Sequence, residues 1–141
     1  MTIKEIQEEI VDEFSMFDDW MDRYEYLIDL GKELPMIDAA FKLEENLIKG
    51  CQSKVWLHAK NNNGNIVYTA DSDAILTKGI IALLLRVFSK QSAQDILHAE
   101  TTFIDQIGLK EHLSPTRANG LVSMIKKIKL YALVNQQQIS E

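Results

Sequence analysis

The sequence has only one cysteine, Cys51, among its 141 residues. A single thiol cannot form a disulfide within one chain, and it cannot supply the several thiolates that hold an iron–sulfur cluster. A disulfide-stapled scaffold, and a cluster held by the cysteines of one chain, are therefore excluded. Two interpretations of Cys51 remain: an inert side chain that packs as a small hydrophobe, or a reactive thiol that acts by itself.

Long apolar runs are also missing. The longest, residues 79–85, is far shorter than the roughly 20 residues that a membrane-spanning helix needs. The first residues include the acidic Glu5 and lack the apolar stretch of a signal peptide. A single cysteine gives no sign of an oxidising compartment. We therefore expect a cytoplasmic protein that does not engage a membrane.

Basic residues are fewer than acidic ones: the chain has 15 Lys and Arg residues and 21 Asp and Glu residues, and its net charge is −6. Nucleic-acid binding requires a basic face for the phosphates, so this class of partner is not expected. Acidic residues are concentrated before Gly31. They indicate either solvated helix faces or a docking surface for a basic partner.

The length fits one domain spanning residues 1–141. Apolar residues three or four positions apart from Ile3 to Phe17 predict a first helix. A second helix is expected to begin at Asp18-Asp19 and to end at Gly31.

The middle of the chain predicts a β-hairpin. Apolar and polar residues alternate over 53–60 and again over 65–70, and the Asn and Gly residues at 61–64 favour a tight turn between them. Residues 45–49 are a candidate for a short third strand. The sequence therefore predicts an α+β fold in which a small antiparallel sheet of about three strands is covered by helices.

The remaining segments are predicted to be helical. Ser72 or Asp73 is expected to cap a long apolar helix that runs to about Phe88 and lies at the centre of the fold. Shorter helices are expected near residues 93–98 and 101–107. Ser114-Pro115 is a typical helix start and begins the last helix, whereas residues 136–138 are expected to fray.

Cys51 itself is flanked by Gly50 and by the polar pair Gln52-Ser53, and the first hairpin strand follows. This order places the thiol in a loop at the start of a strand. No histidine lies near it in the sequence, and residue 58, the nearest, is about 23 Å away along an extended strand. A cysteine hydrolase with a local base is therefore not indicated, and neither a phosphate-binding glycine loop nor a paired-carboxylate site stands out.

Three ordered segments resemble the SufE family of sulfur-acceptor proteins. They are GCQSKVW at 50–56, DSDA at 71–74 followed by KGIIALL at 78–84, and GL at 108–109 followed by HLSPTRANGL at 112–121. The resemblance extends from about Ile10 to about Tyr131. Three departures are small: Ala70 replaces a common glycine, Thr116 replaces a common serine, and Lys54 replaces a common glutamine or glutamate.

The resemblance implies a function. The chain would accept sulfur from a pyridoxal-phosphate cysteine desulfurase of the SufS type, hold it as a persulfide on Cys51, and pass it to the SufBCD assembly scaffold for iron–sulfur clusters. It implies a SufE/IscU-like fold, no cofactor or metal on this chain and no independent turnover, and it leaves a homodimer open. The alternatives are an acceptor for a CsdA-like desulfurase, or a binding module or thiol redox sensor that shares only the fold.

The resemblance also implies a site around Cys51. Its supporting residues, in the loop or in the partner-binding region, would be Gly50, Gln52, Ser53, Asp71, Asp73 and Arg117. Gln52 and Ser53 would bind the thiolate or cap the strand. Asp71 and Asp73 would anchor the cysteine loop or cap the next helix, with capping favoured for Asp73. Arg117 would face the partner or pair with an acid of the loop.

The free protein is expected to guard this thiol. A persulfide is easily lost to other thiols and oxidants, so a carrier benefits from covering it. We expect Cys51 to be largely buried in a pocket formed by Val55, Trp56 and Leu57, and to move outward when the partner docks, with Gly50 permitting the movement.

Overall fold

The computed structural model describes residues 1–136. Its helices are α1 (Ile3–Ser15), α2 (Trp20–Lys32), α3 (Ile75–Phe88), α4 (Ala93–His98), α5 (Thr102–Gln106) and α6 (Pro115–Gln136). Its strands are β1 (Val55–Asn62), β2 (Asn65–Ser72) and β3 (Gln91–Ser92). The predicted order of two helices, a hairpin and a helical second half is confirmed. Of residues 136–138, only Gln136 is described, as the end of α6.

The three strands form one antiparallel sheet in the order β1-β2-β3. The hairpin runs in register from the pair Val55–Ser72 to the pair Asn62–Asn65. At the turn, Asn63 and Gly64 take φ values of 55° and 95°, the left-handed geometry that asparagine and glycine tolerate best. The hairpin prediction is correct.

The prediction of a third strand at residues 45–49 is wrong. Glu44–Asn46 forms a 3-10 turn, and the segment meets β1 only through an isolated bridge between Leu47 and Trp56. The chain leaves the sheet immediately afterwards to form the cysteine loop, so no ladder extends. The third strand is instead the two-residue β3, which pairs with β2 after α3.

The core lies between one face of the hairpin and helices α3 and α6. The inward positions of both strands are buried, and ten of the 14 residues of α3 are buried, as expected for a central helix. Tyr68 on β2 is fully buried, and its hydroxyl donates a hydrogen bond of 2.6 Å to the carbonyl oxygen of Ile128 on α6. This bond, surrounded by apolar side chains, ties the sheet to α6.

Helix α2 does not end at Gly31 as predicted; it continues through this residue to Lys32. Gly31 is buried and faces Gly79 of α3, where a Cβ atom on Gly79 would lie only 2.6 Å from the carbonyl carbon of Leu27. Position 31 is therefore a glycine because the backbones of α2 and α3 touch there, and not because the helix ends.

Helix α6 begins at Pro115, as predicted. Ser114 supports its first turn, since the side-chain oxygen of Ser114 accepts a hydrogen bond of 3.2 Å from the backbone N–H of Arg117. The helix buries Leu121, Met124 and Ile128 against the core. Its first turns also run alongside the cysteine loop.

Candidate functional site

Cys51 lies in a loop, residues 49–54, that leads directly into β1. The base of the loop is closed by a hydrogen bond of 2.8 Å from the backbone N–H of Ile48 to the carbonyl oxygen of Val55. Gly50 has a φ of 93° and turns the chain so that the next residue points toward α6. The sequence placed the thiol in a loop before the first strand, and the structure places it there.

The thiol rests against helix α6. The Cys51 Sγ atom is 3.7 Å from the carbonyl oxygen of Gly120, to which it donates a weak hydrogen bond. Cys51 is half-buried, so it is less covered than expected. Burial raises the pKa of the Cys51 thiol above its ordinary value, because the thiolate loses its hydration. In this position the sulfur is a protonated thiol at neutral pH and a poor nucleophile.

The cavity beside Cys51 is very small, with a volume of about 10 Å³. It is lined by Cys51, Gln52, Ser53, Thr77, Ile80, Thr116, Arg117, Gly120 and Met124. A cavity of this size holds about one water molecule and has no room for an amino-acid substrate. The expected lining by Val55, Trp56 and Leu57 is wrong, because the strand carries these residues away from the loop and α3 and α6 supply the cover.

A larger groove of about 640 Å³ lies near the loop but does not include Cys51. It runs between the 3-10 turn at Glu44–Asn46 and α6, and both acidic and basic side chains line it. We assign the chemistry to the small cavity, because it contains the only thiol of the chain.

Asp73 anchors the cysteine loop. Its Oδ1 atom accepts a hydrogen bond of 3.0 Å from the backbone N–H of Lys54, and its own backbone N–H donates to the Lys54 carbonyl oxygen at 3.2 Å. The prediction that Ser72 or Asp73 caps α3 is wrong: the N-cap residue is Ala74, without a side-chain hydrogen bond. The hairpin register explains the difference, since it sets Asp73 opposite Lys54.

Asp71 has a different partner set. It is buried, and its carboxylate lies 2.6 Å from Lys42 Nζ and 3.5 Å from Lys78 Nζ. Burial raises the pKa of this carboxyl, but the hydrogen bonds from Lys42 and from the Ser72 backbone, with the two lysine charges, outweigh it and hold the pKa below its ordinary value. Asp71 therefore joins the end of β2 to α3 and to the segment before the loop. It does not line the Cys51 cavity.

Arg117 is exposed and lies at the rim of the cavity. Within residues 1–136 it forms no salt bridge, and the loop at 49–54 contains no acid with which it could pair. Gln52 and Ser53 also line the cavity, although in the described part of the chain the thiol's hydrogen bond goes to Gly120 and not to them. The structure thus brings together Cys51, Gln52, Ser53 and Arg117, with Asp73 behind the loop.

The sequence-based prediction missed five residues at the site: Thr77 and Ile80 on α3, and Thr116, Gly120 and Met124 on α6. One of them had a usable signal. Gly120 lies inside a helix, where glycine is disfavoured relative to alanine, so its presence indicates a close contact.

None of the histidines lies at the thiol. His58 stacks on Phe41 with ring centroids 3.8 Å apart, and His112 stacks on Trp20 at the same distance. Among residues 1–136 no cluster of three His, Cys, Asp or Glu side chains is arranged to hold a metal ion, and no helix is long and apolar enough to cross a membrane. The contacts that position the sulfur of Cys51 come from its own loop and from α3 and α6.

Comparison with known families identifies the chain. A family model described as "SufE: Fe-S metabolism associated domain" matches residues 8–132. The chain belongs to the SufE family. This agrees with the resemblance drawn from the three motifs, which extended from about Ile10 to about Tyr131, and it places the chain in iron–sulfur metabolism.

Two bacterial relatives support this membership along most of the chain. An uncharacterized SufE-like protein of Rhizobium meliloti is 42% identical over 127 residues, which cover 86% of this chain and 91% of that protein. A SufE-like protein of Rhizobium etli is 40% identical over 132 residues, covering 90% and 89%. SufE-like protein 1, chloroplastic/mitochondrial, of Arabidopsis thaliana is 41% identical over 127 residues, but these make up only 34% of the plant protein.

The fold is also similar to a solved structure. The solution structure of a hypothetical protein from Thermus thermophilus matches with a TM-score of 0.78, covering 94% of this chain and 96% of that one. At 19% identity this similarity concerns the fold alone. It confirms the predicted α+β class, with helices on a small antiparallel sheet.

Proposed function

We propose that this SufE-family chain accepts sulfane sulfur on Cys51 from a cysteine desulfurase of the SufS type and delivers it to a SufBCD-type assembly scaffold. The observation that carries the proposal is the pairing of a lone thiol with a cavity of about 10 Å³. The cavity has no room for an amino-acid substrate, and this supports a route in which the sulfur atom arrives on a macromolecular donor that meets the loop.

The transfer step is a thiol–disulfide type of exchange. The Cys51 thiol loses its proton, and the thiolate attacks the terminal sulfur of a cysteine persulfide on the donor. A new S–S bond forms on Cys51, the S–S bond of the donor breaks, and the donor cysteine leaves as a thiolate that takes up a proton. No net oxidation or reduction occurs. A second cysteine on the acceptor is not needed, and it would expel the sulfur as sulfide by closing a disulfide.

The loop has to move for this attack. In the structure the thiol faces α6, and burial raises the pKa of Cys51, so this position disfavours the thiolate that the attack needs. The two hydrogen bonds between Lys54 and Asp73, and the bond from Ile48 to Val55, fix the base of the loop. Movement is therefore confined to residues 49–53, and Gly50 is the residue best able to absorb the change in backbone angles.

The other residues of the site have supporting roles in this proposal. Gln52 and Ser53 flank the sulfur and move with it. Arg117, exposed at the rim, is available to the donor protein or to the charge that develops on sulfur during transfer. Asp71 and Asp73 stabilise the segments around the loop through their ion pairs and hydrogen bonds, and they take no part in the sulfur transfer.

The test uses a SufS-type desulfurase with cysteine as substrate, and measures alanine and sulfide release with the wild-type chain and with Cys51→Ser. We expect the wild type to stimulate turnover and the variant to lose all stimulation, because a hydroxyl does not attack sulfur as a thiolate does. Equal stimulation by both chains would overturn the covalent role. Repeating the assay with a CsdA-like desulfurase identifies the preferred donor.

Intact mass spectrometry separates a carrier from a redox sensor. Incubation with desulfurase and cysteine should add one sulfur atom to the wild-type chain and none to Cys51→Ser. A sensor would instead gain oxygen atoms on Cys51, and only after treatment with peroxide. The raised pKa of the half-buried thiol slows both reactions, because each needs the thiolate, so the mass of the adduct is what separates the two roles.

A further inference from the structure

Gly120 of α6 faces the thiol directly. It is buried in the second turn of the helix, where the chain has no local need for glycine. A Cβ atom at this position would lie 3.3 Å from Cys51 Sγ, 3.6 Å from Cys51 Cα and 3.7 Å from Cys51 Cβ. All three nearest atoms belong to the same cysteine, so Cys51 is the residue that lies nearest to the missing side chain.

The same loop also approaches α6 closely one turn further along the helix. A Cβ atom on Gly50 would lie 2.6 Å from the side-chain oxygen of Ser123. Gly50 and Gly120 thus allow the loop and the helix to approach from both sides. The thiol also donates its hydrogen bond to the backbone oxygen of Gly120, so the same residue supplies both the space and the acceptor.

We propose that Gly120 is a positioning residue that sets the closed position of Cys51, and that a side chain at 120 displaces the thiol outward, by a few tenths of an ångström for alanine and further for a larger side chain. The helix cannot yield, because its neighbours Leu121 and Met124 are buried in the core. The loop can yield outward, because Gly50 and Gln52 are exposed. The proposal deepens the proposed sulfur-carrier function and rests on it only for the persulfide, since the closed thiol itself is observed.

The experiment measures the alkylation rate of Cys51 by iodoacetamide between pH 6 and pH 10, using the full chain without any partner. The variants are Gly120→Ala and Gly120→Leu, and the matched controls are Asn119→Ala and Asn119→Leu at the exposed neighbouring position. Circular dichroism and thermal unfolding establish that each variant is folded. Alanine adds a single methyl group and favours the helix, so Gly120→Ala keeps the test decisive even if the leucine variant does not fold.

We expect Gly120→Ala to react about twofold to threefold faster than the wild type at pH 7, with a lower midpoint in the pH profile, because the thiol shifts by only a few tenths of an ångström and such a gain corresponds to at most about half a pKa unit for a thiol titrating above the assay pH. Gly120→Leu should react faster still, and both Asn119 variants should match the wild type. A merely structural glycine would change the melting temperature and leave the pH midpoint of Cys51 in place.

A chemical persulfide extends the test beyond the bare thiol. Polysulfide-treated protein, with one sulfur added to Cys51, should lose that sulfur to dithiothreitol faster in Gly120→Ala than in the wild type or in Asn119→Ala. Unchanged alkylation, unchanged pH midpoint and unchanged sulfur loss in a folded Gly120→Ala variant would overturn the proposal. These measurements use no desulfurase, so they fail independently of the proposed function.

Discussion

Two pairs of glycines bring parts of this molecule unusually close together, and they differ in what they touch. Gly31 and Gly79 join helices α2 and α3 through backbone atoms, and a Cβ atom would come within 3.0 Å of a backbone atom at Gly31 and within 2.6 Å of one at Gly79. Gly50 and Gly120 join the cysteine loop to α6, and there the nearest atoms are the side-chain oxygen of Ser123 and the sulfur of Cys51. The first contact is between two rigid helices, whereas the second is between a helix and a loop.

The difference determines what each contact can do. Helices α2 and α3 cannot separate without exposing the core, so their contact serves stability alone. The cysteine loop is exposed on its outer side and can leave α6 while its base stays bonded to Val55 and Asp73. A missing side chain therefore lets two helices pack closely in the first pair, and in the second pair we propose that it lets α6 hold a thiol that can move away again.

The largest effect is expected from Gly79→Ala. Because alanine favours a helix more than glycine does, helix propensity alone would raise the free energy of unfolding by about 1 kcal/mol. The added Cβ would overlap the Leu27 carbonyl group, however, and backbone atoms of two packed helices cannot move apart cheaply. We expect a net loss of about 1–3 kcal/mol in the free energy of unfolding, as for other overpacked cores.

Urea denaturation of Gly79→Ala measures this loss, with Gly120→Ala as the matched comparison. Gly120→Ala should unfold at the same or a higher urea concentration, because only a movable thiol opposes the propensity gain. Equal destabilisation by both substitutions would erase the proposed distinction between the two contacts.

The ion pairs of Asp71 support the segments around the cysteine loop, and their loss is expected to have the second-largest effect. Asp71→Asn keeps the shape of the side chain but leaves Lys42 and Lys78 without their carboxylate. The pKa of Asp71 is lowered in the folded protein, so its charged form contributes stability that is present above the unfolded pKa of about 3.9 and lost as the pH falls through the folded value. The variant should be less stable at pH 7, and its difference from the wild type should shrink as the pH falls below 4.

Chemical denaturation at pH 7, 5 and 3.5 checks this dependence. Asp105→Asn, at an exposed position on α5, serves as the control and should follow the wild type at each pH. If the difference in stability between Asp71→Asn and the wild type stays constant from pH 7 to pH 3.5, the ion pairs of Asp71 do not stabilise the fold.

The sequence predicted more of the fold than of the site. The hairpin was readable because the alternation of side chains and the Asn-Gly turn act within a few residues. Gly31 was misread as a helix end because its partner Gly79 is 48 positions away, and nothing local distinguishes a packing glycine from a stop signal. The third strand was misplaced because β3 has only two residues, too few for any periodicity.

The candidate site shows the same limit. Cys51 and its position in a loop were evident, but the role of Asp73 depends on the residue that the hairpin register sets opposite it. Gly120 and Met124 approach Cys51 only because α6 crosses the loop, about 70 residues later in the chain. A residue pattern describes neighbours along the chain, whereas the cover over the thiol is assembled from α3 and α6.

Substitution of Asp73 should loosen the base of the cysteine loop. Asp73→Ala removes the side-chain acceptor of the Lys54 N–H, which should cost about 1 kcal/mol of stability and widen the motion of residues 49–53. Cys51 should be alkylated faster than in the wild type, although the space at Gly120 is unchanged. Asp73→Asn retains an oxygen acceptor and should stay near the wild type. An Asp73→Ala variant with the wild-type alkylation rate would show that the base does not restrain the thiol.

The smallest effect is expected in the unmodified protein, where the folded chain is compared with itself in denaturing urea. Burial against α6 raises the pKa of Cys51, so the pH midpoint of alkylation should lie higher in the folded than in the unfolded chain. Below the unfolded pKa the thiol is protonated in both states and its contribution to stability is fully present. This contribution is lost as the pH rises through the folded pKa, because the unfolded chain then releases its proton more readily. Wild-type stability should therefore decline from about pH 8.5 upward more steeply than that of Cys51→Ala. Coincident midpoints for folded and unfolded protein would show that contact with α6 leaves the thiol as reactive as in open solvent. The contact between the loop and α6 would then, like the contact between α2 and α3, have no effect on reactivity.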